Sequence, residues 1–143
     1  MEFKSTLRWD LRTQAINKKL EDVVIKTVAA FANAQGGTLL IGVADDGEVL
    51  GLELDYDALG GASRDKFELH LRNLFNEKFG SSFVATKVQV TFPMVDELHI
   101  CQVEISPAME PLFVNVKDKE GRTQEKFYVR SGNSSQEMPL AEF

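Results

Sequence analysis

The chain has 143 residues, 43% hydrophobic and 27% charged. That suits one folded domain able to bury about 70% of its unfolded surface, and it excludes a disordered chain. Sixteen Lys and Arg against 22 Asp and Glu leave a net charge of −6, the opposite sign from the usual non-specific DNA binder. The single cysteine, Cys101, lies in an apolar run and excludes an intrachain disulfide. No stretch approaches the ~18 apolar residues of a membrane helix, and no signal-peptide core opens the chain. The expectation is a reduced, cytoplasmic protein with no membrane partner.

Taken in chain order, Glu2 to Thr6 reads as a short strand, with residues 7–16 as loop. Leu20, Val23, Val24, Thr27, Val28 and Phe31 fall at helical spacing and predict an amphipathic helix that stops at Gly36-Gly37. Thr38 to Val43 is continuously apolar, which predicts a strand covered on both faces. Asp45-Asp46-Gly47 is a turn signal, and Glu48 to Leu52 reads as the returning arm of a hairpin. Asp55 to Ala62 is a polar connection. Ser63 is a candidate N-cap for a second helix with Phe67, Leu71, Leu74 and Phe75 on one face and Gly80 after it. Leu69 lies off that stripe and is expected to be exposed or to meet a partner.

Val88, Val90 and Phe92 alternate with polar residues, as in a half-buried strand. Leu98 to Ile105 is a second strand whose in-out phase switches near Ile100-Cys101, and residues 93–97 join the two as a hairpin. Leu112 to Val116 and Lys126 to Arg130 are further strands around a turn at residues 117–121. Ser131 to Glu137 reads as polar loop, and residues 139–142 as the start of a helix. The order gives a mixed α/β (α+β) fold with a mixed sheet, about two main helices being packed on strands and hairpins. Residues 1–143 read as one domain, part of a longer protein.

The charge is unevenly spread. Residues 1–26 hold six basic against four acidic groups, and residues 117–130 hold five against three. Residues 42–70 hold eight acids and two bases. If the two mildly basic ends meet in space, they form a strip that can face phosphates. The strand at residues 2–6 is therefore expected near residues 126–130, with Lys4 and Arg130 on one surface. Lys4, Lys126, Arg130, Ser134 and Ser135 are the candidate phosphate contacts, groups that position a nucleic acid without reading its sequence.

Several chemistries are excluded. There is no Gly-x-x-x-x-Gly-Lys-Ser/Thr phosphate loop and no Gly-x-Gly-x-x-Gly fingerprint. His70 and His99 stand apart and cannot complete a zinc site with one cysteine, so both read as structural. Asp45-Asp46-Gly47 lacks the glycine-rich lid that a histidine-kinase or Hsp90-like ATPase requires.

One combination is distinctive. Glu2-Phe3-Lys4 precedes a helix ending Ala30-Phe31-Ala32-Asn33-Ala34-Gln35-Gly36-Gly37-Thr38. It continues into Leu39-Leu40-Ile41-Gly42-Val43-Ala44-Asp45-Asp46-Gly47 and Val49-Leu50-Gly51. Downstream come Pro111-Leu112-Phe113-Val114 and Phe127-Tyr128-Val129-Arg130-Ser131-Gly132-Asn133-Ser134-Ser135. Across essentially its whole length the chain resembles the Schlafen AlbA-type domain. The resemblance implies a DNA- or RNA-binding module of a regulatory protein, a transcription regulator by analogy, working as a homodimer beside downstream domains and needing no cofactor. It also implies an alternative, because certain Schlafen proteins are endoribonucleases using three carboxylates with a divalent metal such as magnesium or manganese. Here Glu2 matches one glutamate of the Glu-x-x-x-x-Glu-Phe-Lys motif, and Asp45 or Asp46 can match the aspartate. The first glutamate has no counterpart ahead of Met1, and Ala44 stands where many relatives have an acid. A third reading, suggested by the −6 charge, is a protein-interaction or dimerisation domain. Phe31, Leu39, Ile41 and Phe127 read as core.

Overall fold

The computed structural model describes residues 1–60, 63–117, 119–132 and 134–138. Its central sheet is mixed. Strand β1 (Glu2–Lys4) lies parallel to β4 (Gly37–Ile41), which pairs antiparallel with β8 (Cys101–Ile105), and β8 pairs antiparallel with β5 (Val88–Thr91). Register sets the faces. Leu39, Ile41, Val88, Val90, Cys101, Val103 and Ile105 are buried on one side, while Leu40 and Gln102 on the other stay half-buried. The apolar run at residues 38–43 is thus covered on one face rather than both.

Two main helices cover the buried face, as the periodicity predicts: α1 (Lys19–Ala32) and α3 (Arg64–Phe79). Val24 and Val28 of α1 meet Phe67, Leu71 and Phe75 of α3 in a shared core with the sheet. His70 of α3 is hydrogen-bonded to the buried Glu21 of α1, which satisfies both groups. His99 faces the Phe92 carbonyl at 3.3 Å. Cys101 is fully buried, and burial pushes its thiol pKa well above the ordinary range. A thiol-directed alkylating reagent is therefore expected to leave the native protein unlabelled and to label the denatured chain to completion, as read by intact mass.

A second antiparallel sheet, ordered β11-β10-β9, lies against α1. It comprises β9 (Val114–Lys117), β10 (Thr123–Ser131) and β11 (Ser134–Met138). Residues 131–137, expected as loop, thus include an edge strand. It carries no apolar alternation because it has no core face to bury, and its register with β10 runs from Phe127↔Met138 to Ser131↔Ser134. Asn33, just past α1, ties this sheet down. Its amide donates to the Leu112 and Tyr128 carbonyls at 2.9 and 3.0 Å, and its oxygen accepts from Leu112 N–H at 2.8 Å. Gly37 begins β4 against the Phe31 ring, where any side chain would collide with that ring.

Other differences are local. Residues 7–16 contain a small hairpin, β2 (Trp9–Asp10) with β3 (Ala15–Ile16). The expected arm at 48–52 makes only one bridge, Val43↔Val49, because the Leu50 and Gly51 N–H groups both donate to the Gly42 carbonyl. The chain then turns into a short helix, α2 (Glu53–Ala58), inside the segment read as a connection. Another short helix, α4 (Ser81–Lys87), follows Gly80. The 93–97 hairpin carries two small strands, β6 (Met94–Val95) and β7 (Leu98–His99), and the break before β8 falls at Ile100, where the phase switches. Ser63 precedes α3 without a side-chain cap bond. The helix expected at residues 139–142 lies outside the described residues. No helix among the described residues is long and apolar enough to cross a membrane.

Candidate nucleic-acid interface

Because β1 is an edge strand beside the N-terminal half of α1, its polar side chains emerge next to the β10–β11 hairpin. A depression of about 250 Å³ opens there, lined by Glu2 and Lys4 of β1, Val23, Lys26 and Thr27 of α1, and Ser134 and Ser135 of β11. The two ends of the chain do meet. β1 itself pairs with β4, and the link to β10 is an ion pair between Glu2 and Arg130 at 3.0 Å.

The candidate phosphate ligands differ in what they already hold. Lys4 makes no ion pair among the described residues, and neither does Lys26. The Arg130 side chain is only 11% exposed and is fully engaged. It pairs with Glu2, donates to Ser135 Oγ at 3.1 Å, and lies over the Phe31 ring with its guanidinium 4.8 Å from the centroid. It does not line the depression but braces Glu2 and Ser135, which do. Lys126, four residues earlier on β10, pairs with Glu137 at 3.1 Å and does not line the depression. Ser134 Oγ donates to the Ser131 carbonyl at 3.4 Å across the hairpin turn.

Two further hollows adjoin. One, also about 250 Å³, is lined by Phe3, Lys4, Ser5, Thr6, Leu20, Val23 and Asp45. The other, about 380 Å³, lies between α1, the end of α3 and β9–β10, and includes Lys26, Lys78, Lys117 and Tyr128. Lys4 and Val23 are common to the first pair, and Lys26 and Val23 to the second, so the three hollows lie side by side along α1. Val23, predicted for the buried stripe of α1, is 41% exposed at their junction. Sequence reasoning missed Lys26, Lys78 and Tyr128 as site residues. Each sits in a regular element, and nothing local to it signals the groove.

The candidate carboxylates have different surroundings. Glu2 faces Arg130 in one hollow, and Asp45 borders the next. Asp46 accepts the Glu48 N–H at 2.9 Å and holds the turn. Among the described residues no three His, Cys, Asp or Glu side chains stand close enough to hold a metal ion.

A family model described as "Schlafen, AlbA_2" matches residues 1–139. No curated protein matches the sequence. Among solved structures, the crystal structure of the DIP2311 protein from Corynebacterium diphtheriae superposes with a TM-score of 0.63 at 22% identity, over 99% of this chain and 25% of that one. That likeness shows the fold, and this chain spans about a quarter of that protein's length.

Proposed function

Since the chain belongs to the Schlafen AlbA_2 family, we propose that it is a nucleic-acid-binding module of a larger regulatory protein, gripping phosphates along the Lys4–Lys26 track. The observation that carries this reading is the hollow that joins Lys4 and Lys26, neither in an ion pair, to the hydroxyls of Ser134 and Ser135. Ammonium and hydroxyl donors in one concave strip suit phosphate oxygens, and they fix the position of a strand without specifying its sequence. The acidic residues of 42–70 lie largely on other elements, so the net charge does not set the sign of this surface.

Titration of a labelled oligonucleotide by fluorescence anisotropy at several salt concentrations tests the proposal. Affinity is expected to fall steeply with salt, because each neutralised phosphate releases condensed counterions. Lys4→Ala and Lys26→Ala are each expected to flatten the log–log slope by about one unit and to weaken binding to unrelated sequences alike. Absence of binding at low salt, or binding indifferent to salt, would leave the interaction-domain reading ahead.

A further inference from the structure

We propose that the 380 Å³ hollow between α1, the end of α3 and β9–β10 receives an unstacked nucleobase, so that the module prefers single strands; this rests on the nucleic-acid reading above. The hollow is larger than the Lys4–Ser135 hollow beside it and differs in chemistry. Ile25 and Val114, both buried, form its floor with Val116, and the Tyr128 ring forms a wall. Lys26 Nζ stands 5.5 Å from the centre of that ring, a cation–π contact. Lys78, which donates to the Asn115 carbonyl at 3.5 Å, and Lys117 complete the rim. Three ammonium groups thus face one carboxylate, Asp22.

An apolar slot with an aromatic wall and a cationic rim matches a nucleotide, flat and apolar at the base, anionic at the phosphate. Its volume lies near the lower end of the roughly 300–1,000 Å³ typical of small-ligand sites. Two facts favour a base within a strand over a free nucleotide. The hollow shares Val23 and Lys26 with the Lys4–Ser135 hollow, so one strand can reach both. Val23, apolar and exposed, stands between the two hollows and offers a sugar an apolar surface. A duplex keeps its bases stacked and can offer this slot only its backbone.

The test compares a short thymidine strand, a fully abasic strand of equal length, and a blunt duplex of the same length, by anisotropy at one salt concentration. The intact strand is expected to bind about tenfold or more tightly than the abasic one, within the range for one base stacked on an aromatic ring. Val116→Phe, which fills the slot, is expected to erase that difference. Lys117→Ala, exposed and safe for folding, is expected to weaken the intact strand more than the duplex. Equal binding of intact and abasic strands overturns the base slot and leaves the phosphate track standing. Tight binding of thymidine monophosphate with no gain from the strand overturns it in favour of a small-ligand pocket. Failure of every oligonucleotide to bind overturns both readings.

Discussion

Asp55→Ala is expected to destabilise the fold by about 3–4 kcal/mol, because it strips the acceptor from three backbone N–H groups at once. Asp55 lies in α2 and is buried. Its Oδ2 accepts from Leu7 N–H at 2.7 Å, and its Oδ1 accepts from Arg8 and Trp9 N–H at 3.0 Å each. Leu7 is itself fully buried, so its amide cannot turn to water instead. The carboxylate thereby clamps the loop leaving β1, and with it Ser5 and Thr6 on the border of the phosphate track. Asp55→Asn keeps the volume and one acceptor oxygen but turns an NH2 toward Leu7 N–H, so about 1–2 kcal/mol is expected. Urea unfolding should show both losses as a lower midpoint at unchanged slope. A change below 1 kcal/mol in the alanine variant would mean that the loop finds other acceptors.

The same residue carries a pH signature. Burial, the largest influence, holds the carboxyl above its ordinary value of 3.8, although the three N–H donors pull the other way. A carboxyl raised in the folded state stabilises the fold fully below the unfolded value. That increment is lost as pH rises through the folded value. Asp55→Asn removes the titrating group, so the difference in stability between wild type and this variant should shrink as pH rises through that window. A difference that grows with pH would mean that the donors outweigh burial.

What could be read from the sequence was what depends on neighbours within a few residues. The stripe through Val24, Val28 and Phe31 and the alternation of Val88 and Val90 record one buried face each, and both elements formed as expected. The break at Ile100 was visible for the same reason. The edge strand β11 was not, because Ser134 to Met138 owes its existence to β10 and leaves no hydrophobic trace. Nor was Asp55, whose three partners lie 46 to 48 residues away. The site followed the same rule. The residue types on the track were identifiable as possible phosphate contacts at Lys4, Ser134 and Ser135. Which cation was already spent was decided by Glu2 and Phe31, far from Arg130 in sequence. Lys26 counted only as one of the basic groups of residues 1–26, and Lys78 did not stand out, because the hollow they share is formed with β9 and β10, distant in sequence.

Arg130→Ala is expected to cost about 2–3 kcal/mol of stability, below the 3–5 kcal/mol typical of breaking a fully buried ion pair, because Glu2 keeps a path to water. Glu2 is 22% exposed and can rehydrate in part once its partner is gone. The loss includes the guanidinium stacked on Phe31 and the hydrogen bond to Ser135, which together join β10, β11, α1 and β1. Glu2→Gln should cost less, since Arg130 then keeps the ring and the hydroxyl. The double variant should fall short of the sum of the two, the mark of a shared contact. The effect on nucleic-acid binding should separate a pillar from a ligand. Arg130 does not line the hollow but holds Glu2 and Ser135, which do, so its loss lets the β11 serines shift and weakens affinity without removing a phosphate contact. The salt slope of Arg130→Ala should therefore stay near wild type, in contrast to Lys4→Ala. Stability unchanged with the slope flattened by about one unit would instead put the guanidinium on a phosphate. Binding would then have to break the Glu2 pair, and Glu2→Gln would tighten affinity by freeing the cation.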